Sequence, residues 1–156
     1  MADNVGKKFE QKLKEDFLKI PGATIDRIYD TTNGFTGIRN ICDFIGYRYP
    51  NIFYFECKTI KGNTFPLTNL KQYDKLLAKK NIKGVIAGVV LWFYEHDKVL
   101  FIPIKTFEKL KENNQKSFNI KMVGGSEYPS IVIPSVKKRT FMDSDYTVLL
   151  SMEEDK

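Results

Sequence analysis

The alternation of apolar and polar residues in the first part of the chain predicts a helix, a short strand and a β-hairpin. Apolar residues recur at helical spacing over residues 4–20, whereas residues 24–29 alternate as a strand does. The stretches 41–48 and 52–59 are rich in β-branched and aromatic side chains. Because Tyr49-Pro50-Asn51 between them is a turn-forming segment, the two stretches are predicted to pair as a hairpin.

The remaining pattern adds a central strand and two helices. The longest apolar run, residues 85–94, has too many β-branched residues for a surface helix and predicts a fully buried strand. A further strand is predicted at 99–102, with helices over 68–80 and 104–113. Beyond residue 114 the weaker pattern predicts three short strands, near residues 118–122, 130–133 and 146–150. This order of elements predicts an α/β domain with a mixed β-sheet flanked by helices.

Length and composition narrow the class of protein. A chain of 156 residues with 42% hydrophobic residues predicts a single domain, with a core at about residues 4–114 followed by a C-terminal extension. The longest apolar run is about half of what a membrane span requires, so we expect a cytoplasmic protein. The 25 Lys and Arg residues exceed the 19 Asp and Glu residues and give a net charge of +6. This excess favours polyanionic partners, although it would also serve solubility alone.

Several kinds of chemistry are disfavoured by what the sequence contains. Cys42 and Cys57 have neither zinc-site spacing nor the density of a disulfide scaffold, and we expect them to be small core residues. His96 is the only histidine and falls in a predicted exposed turn, which disfavours a histidine general base. A glycine-rich phosphate loop is absent, so no nucleotide cofactor is expected.

Candidate chemistry is concentrated in the predicted hairpin. Glu56 and Lys58 are two residues apart on one strand and therefore face the same side. If the hairpin is symmetric about Tyr49-Pro50, Asp43 lies opposite Glu56, with about 5 Å between the two Cβ atoms. Two such carboxylates suit Mg²⁺ or Mn²⁺, and a neighbouring lysine can orient a water or offset negative charge. The spacing alone also permits ordinary exposed strand residues.

The flanking sequence resembles a known family. Asp43, the strand segment Phe55-Glu56-Cys57-Lys58-Thr59 and the segment Thr64-Phe65-Pro66-Leu67-Thr68-Asn69-Leu70 together resemble the RecU-type Holliday junction resolvases of bacteria and phages. These nucleases belong to the PD-(D/E)XK superfamily, and the resemblance runs from about residue 6 to about residue 104. It implies a restriction-endonuclease-like fold and a Mg²⁺-dependent endonuclease, with Mn²⁺ as a substitute.

The resemblance also implies roles for individual residues. Asp43, Glu56 and Lys58 match the catalytic set, in which the two acids also bind the metal. Glu10 matches a helical glutamate that completes the metal-binding and catalytic set in many members, although it could instead be a solvated partner of Lys14. Gln72, in the helix after the Phe-Pro-Leu segment, matches a glutamine near the family's active site; the alternative is an exposed helix position.

Two departures from the family pattern bear on the substrate. Cys42 stands where the superfamily has its proline. The stretch between the first helix and Asp43 is too short for the stalk that cellular members insert into a junction, which indicates a compact phage-like form. The loop 31–40 could order over DNA near the site or be a plain loop, and the basic stretches 71–83 and 137–139 could contact phosphates or simply be solvated.

The sequence leaves three functions open for this protein. The first is a structure-selective endonuclease that resolves Holliday junctions, working as a homodimer because two symmetric cuts need two active sites. The second is a restriction- or repair-type nuclease of the same fold. The third is a non-catalytic branched-DNA-binding protein that modulates recombination, which the intact set Asp43, Glu56 and Lys58 disfavours.

Overall fold

The computed structural model describes residues 2–29 and 40–152, and the side chains from Val5 onward. Most of the predicted loop 31–40 lies outside the described residues. Within them, no helix is long and apolar enough to cross a membrane.

The described residues form three α-helices, ten strands and three 3₁₀ segments. The three helices are α1 (Ala2–Phe17), α2 (Tyr73–Leu77) and α3 (Ile104–Glu112). The strands are β1 (Thr24–Arg27), β2 (Phe44–Arg48), β3 (Asn51–Ile60), β4 (Thr64–Pro66), β5 (Val85–Phe93), β6 (Lys98–Pro103), β7 (Ser117–Asn119), β8 (Ile131–Val132), β9 (Ser135–Lys137) and β10 (Met142–Ser144). Three short 3₁₀ segments span Leu67–Asn69, Ile120–Met122 and Tyr146–Ser151.

Six strands form one mixed sheet in the order β1-β2-β3-β5-β6-β8. The central strands β3 and β5 are parallel, whereas the other neighbours in this sheet are antiparallel. Phe44 pairs with Phe55 and Arg48 with Asn51, so the hairpin is symmetric about Tyr49-Pro50 as predicted. The strand at 85–94 is confirmed as the buried central strand, because eight of its nine observed positions are buried.

Each face of the sheet carries its own core because successive side chains of β5 point to opposite sides. On one face, Val90 and Trp92 lie in a cluster with α1 and with the C-terminal residues Tyr146 and Leu149. On the other face, the alternate side chains of β5 pack against α2 and α3; the buried members include Leu76, Val89, Leu91, Phe107 and Leu110. The predicted α/β architecture, a mixed sheet flanked by helices, is therefore confirmed.

The segment after residue 60 differs from the prediction. Within the helix predicted over 68–80, the structure has only the end of a 3₁₀ turn and the five-residue α2. Strand β4 precedes them at Thr64–Pro66, where no helix or strand was predicted. Phe65 explains the difference, since it is fully buried and pairs in β4 with Phe118 of β7. This tertiary pairing holds the segment extended and delays the helix.

The C-terminal segment also differs. The strand predicted at 146–150 is wrong, because Tyr146–Ser151 forms a 3₁₀ helix. The hairpin of β9 and β10 was not predicted, and it is held to α1 by the buried Asp16, whose Oδ2 accepts a hydrogen bond from Ser144 N–H at 2.9 Å. Residues after 114 therefore contribute to the same cores as the rest of the chain.

Candidate active site

Strand β3 places Glu56 and Lys58 side by side. By alternation, both side chains share a face with Tyr54, whereas Phe55 and Cys57 point into the core beneath α1. The Nζ atom of Lys58 lies 3.4 Å from Oε2 of Glu56. Glu56 is only 2% exposed, and its second oxygen, Oε1, is buried without a hydrogen-bond partner in the described part of the chain. A buried carboxylate oxygen in this state is costly, so it indicates a site that receives another group.

Asp43 lies immediately before β2, at the end of the hairpin ladder. The last regular pair is Phe44 with Phe55, and Asp43 donates its own N–H to the carbonyl of Phe55 at 3.0 Å. Its Oδ2 accepts a hydrogen bond from Cys57 N–H at 2.9 Å. Asp43 is therefore tied to β3 through its side chain, and the predicted pairing directly opposite Glu56 is wrong by this slip of one residue.

The charges of Glu56, Asp43 and Lys58 act on one another. Burial is the main cause that raises the pKa of Glu56 to about 7, and the Asp43 carboxylate raises it further, while Lys58 opposes the shift. Bringing two negative charges together in a poorly solvated place disfavours ionisation of one of them. A cation at this position would remove that penalty.

Arg27, which the sequence did not single out, links Glu10 to Asp43. Nε of Arg27 lies 3.2 Å from Oε1 of Glu10, and NH1 of the same guanidinium lies 3.7 Å from Oδ1 of Asp43. Burial raises the pKa of Glu10, and Arg27 acts in the opposite direction. The one available sequence signal was strand alternation, which puts Arg27 on the same side of β1 as the buried Ile25. Glu10 pairs with Arg27 across the site, not with Lys14.

Gln72 is placed at the start of α2, as its N-cap residue. Its side-chain oxygen is buried and has no hydrogen-bond partner among the described residues. The alternative of an exposed helix position therefore fails, whereas a catalytic role for Gln72 stays a prediction.

Among the described residues, the side chains of the others singled out from the sequence are not bonded to the acids of this site. Both Cys42 and Cys57 are free and buried, and burial raises the pKa of the Cys42 thiol to about 12. The exposed His96 contacts Asn63 through Nε2 at 2.7 Å. In the basic stretch 137–139, Lys137 pairs with Asp97 at 2.9 Å.

The carboxylate oxygens of the site suit a divalent cation. Within residues 2–29 and 40–152, no three His, Cys, Asp or Glu side chains form a ready-made metal cluster. Mg²⁺ does not need one, since it usually keeps several waters and binds one or two carboxylates together with substrate phosphates. Asp43 Oδ1 and the unpartnered Glu56 Oε1 supply two hard oxygen donors and fit that requirement.

The chain is similar to known proteins in fold and in sequence. No curated protein sequence matches the chain. Among solved structures, Hjc, a Holliday junction resolvase from the archaeal hyperthermophile Archaeoglobus fulgidus, is similar with a TM-score of 0.56 and 21% sequence identity. The match covers 81% of this chain and 95% of that chain, and it confirms the restriction-endonuclease-like fold.

A family model described as Recombination protein U matches residues 17–136. The matched range contains Asp43, Glu56, Lys58 and Gln72, begins after Glu10, and extends well past residue 104, where the resemblance found by sequence reasoning ends. Because it covers most of the chain, the protein belongs to the recombination protein U family.

Proposed function

We propose that this protein is a Mg²⁺-dependent endonuclease that resolves Holliday junctions, with Mn²⁺ as a substitute metal and the cytoplasm as its place of action. Membership of the recombination protein U family supports a role in recombination, and the similar fold of Hjc, itself a Holliday junction resolvase, supports the substrate. The single observation that carries the site is the buried Glu56 carboxylate, which has an oxygen without a partner and lies in the electrostatic field of Asp43.

Each residue then has a distinct task. Asp43 and Glu56 would hold the cation, and Glu10, which is paired with Arg27, is the candidate third acid. A bound divalent cation would polarise the scissile phosphate and lower the pKa of an attacking water. Lys58, held beside Glu56 at 3.4 Å, is placed to orient that water or to offset negative charge on the phosphate. Arg27 supplies a second positive group on the Asp43 side.

The working species is proposed to be a symmetric homodimer. Resolution of a four-way junction takes two symmetric cuts, and the described residues contain one set of Asp43, Glu56 and Lys58. A two-fold axis relating two chains matches the symmetry of the junction, and two-fold dimers are the commonest soluble oligomers.

The test of catalysis uses a synthetic four-way junction, a linear duplex of the same sequence and the component single strands, each with and without Mg²⁺. We expect junction cleavage that requires the metal. Equal cleavage of the linear duplex would favour a restriction- or repair-type nuclease of the same fold, and tight junction binding without any cleavage would favour a non-catalytic modulator.

The test of the dimer mixes wild-type chains with Asp43→Asn chains and isolates the mixed species. The substrate is a supercoiled plasmid with an extruded cruciform. Mixed dimers should nick the plasmid and leave relaxed circles, whereas wild-type dimers should give linear product. Linear product from both, or a monomer at concentrations where junctions are resolved, would rule out paired active sites.

A further inference from the structure

A second concave site lies at the opposite end of β3 from Lys58. It is a cavity of about 880 Å³ between the first residues of β5 and the first turn of α3. Glu56 lies four residues along β3 from Ile52, which pairs with the first residue of β5, so the cavity is roughly 13 Å from the candidate active site along the strand. Much of the wall is apolar; it includes Ile82, Val85, Ile86, Ile104 and Met152.

The cavity borders the unpaired end of a strand in the middle of the sheet. Pairing between β5 and β6 ends at Gly88 with Pro103, because the chain turns into α3 after Pro103. The residues Val85, Ile86 and Ala87, which line the cavity, therefore lack a β6 partner. On their other side they remain paired with β3.

One hydrogen bond shows which backbone N–H and C=O groups at the start of β5 face the cavity. Ile52 N–H donates to the carbonyl of Gly84 at 2.8 Å, so the backbone groups of Gly84 face β3. Because these groups alternate along a strand, the N–H of Ala87 and the C=O of Val85 face the cavity. The C=O of Ala87 is already used: Pro103 has no N–H, so the pairing of Gly88 with Pro103 requires Ile104 N–H to donate to Ala87. Val85 N–H is already used, since it donates to Ile82 at 3.0 Å. One donor, the N–H of Ala87, and one acceptor, the C=O of Val85, are thus presented in the spacing that an added strand would meet.

The charged residues that line the cavity are all positively charged. Lys80, Lys83, Lys105 and Lys109 line the cavity, and no Asp or Glu of the described chain is among the lining residues. Lys80 pairs with Glu108 at 2.5 Å, whereas Lys83 and Lys105 are exposed. Lysines beside an open edge repel strands that carry positive charge and attract a strand that carries carboxylates.

We propose that this cavity is a docking site for an extended acidic peptide segment of a partner protein, which adds a short strand beside Val85–Ala87. Alternate side chains of the segment meet the apolar wall, and its carboxylates meet the lysines. A second copy of this chain is a poor occupant, because a symmetric edge pairing would bring its lysines against these lysines. DNA offers phosphates for the lysines, but it has no extended peptide backbone to pair with the strand edge. The proposal goes beyond the proposed nuclease function and does not depend on it.

The test uses the full-length protein and three eight-residue peptides with blocked termini. The first alternates glutamate and valine, and the second alternates lysine and valine. The third alternates glutamate and proline, so that it keeps the acidic charge but lacks the backbone donor at every second residue and is held out of regular strand pairing. Fluorescence anisotropy should give saturable binding of the first peptide only. Amide hydrogen exchange should slow at Ala87 when it binds, because that N–H gains a partner.

Two double variants locate the binding surface. Lys105→Gln with Lys109→Gln should weaken binding of the glutamate–valine peptide about tenfold, as expected from the loss of two partly exposed charge contacts. Lys14→Gln with Lys121→Gln, which removes two exposed charges elsewhere, should leave it within about twofold.

Three outcomes would overturn the proposal. Equal binding of the glutamate–proline peptide would mean that charge alone is recognised. Unchanged binding to the Lys105/Lys109 variant would place the peptide elsewhere. If no peptide binds while an eight-nucleotide thymidine strand loses affinity in the Lys105/Lys109 variant, the cavity is a DNA contact. Junction cleavage measured on the same preparations reports separately on the nuclease function.

Discussion

Replacing Glu56 by glutamine should stabilise the metal-free protein at neutral and alkaline pH. The carboxylate is 2% exposed, lies near Asp43 and has one oxygen without a partner. Glutamine keeps the size and the hydrogen-bonding capacity of the side chain but carries no charge. The substitution therefore removes an unfavourable buried charge and leaves the packing in place.

The pH dependence follows from the direction of the shift. The pKa of Glu56 is about 7 in the folded protein and has an ordinary value of 4.5. Between these values the folded state binds the proton more tightly than the unfolded state, so the free energy of unfolding of the wild type falls as pH rises. The slope is at most about 1.4 kcal/mol per pH unit, and the whole loss is about 3 kcal/mol, complete above the folded pKa. Below the ordinary value the wild type and Glu56→Gln should be equally stable.

The assay is urea unfolding of both proteins in a chelator, at several pH values between about 4 and about 8.5. Glu127→Gln, which removes an exposed carboxylate, is the control and should follow the wild type throughout. With Mg²⁺ at roughly a hundred times its dissociation constant, the wild type should regain about 2.7 kcal/mol, and Glu56→Gln should gain much less. Parallel stability curves at all pH values, or a variant less stable than the wild type at alkaline pH, would refute the reasoning about Glu56.

Four further substitutions test other parts of the structure. Asp43→Asn should abolish junction cleavage while binding is retained or improved, because it removes a metal ligand and also a charge that repels phosphate; cleavage at the wild-type rate would refute the site. Lys58→Ala should slow single-turnover cleavage at least tenfold with little change in binding, and the exposed Lys61→Ala is its control. Arg27→Gln should tighten Mn²⁺ binding measured by calorimetry, since a competing cation beside Asp43 is removed; weaker binding would contradict this. Leu149→Ala should lower the free energy of unfolding by about 2–5 kcal/mol, because the side chain is fully buried, and a loss below about 1 kcal/mol would separate the C-terminal segment from the core.

The hairpin and the central strand could be predicted because their local and tertiary preferences agree. Residues 52–59 are rich in β-branched and aromatic side chains, and in the structure they are also buried between two neighbouring strands. The two-residue period then fixed the shared face of Glu56 and Lys58. Agreement between propensity, pattern and burial is what makes such a segment predictable.

The C-terminal segment could not be predicted because two periods fit it. Tyr146, Val148 and Leu150 alternate, which indicates a strand, but the residues that are buried are Tyr146 and Leu149, three apart. A spacing of three is the period of a 3₁₀ helix, and over six residues neither period is decisive. The choice between them depends on the core beneath α1, which is built mostly from residues far away in the sequence.

Arg27 is the part of the site that no local pattern could supply. Its guanidinium meets Glu10 from α1 and Asp43 from the end of the hairpin, and these residues are brought together only when β1 pairs with β2. The role of its charge also depends on that assembly. Two carboxylates near one another and near the buried Glu56 require positive charge, and Arg27 supplies it on one side while Lys58 supplies it on the other. Glu10 and Asp43 can therefore be tolerated in the folded protein before a metal or a phosphate arrives, because the positive charge of Arg27 lies beside both. The energetic cost that remains is concentrated in the unpartnered Oε1 atom of Glu56.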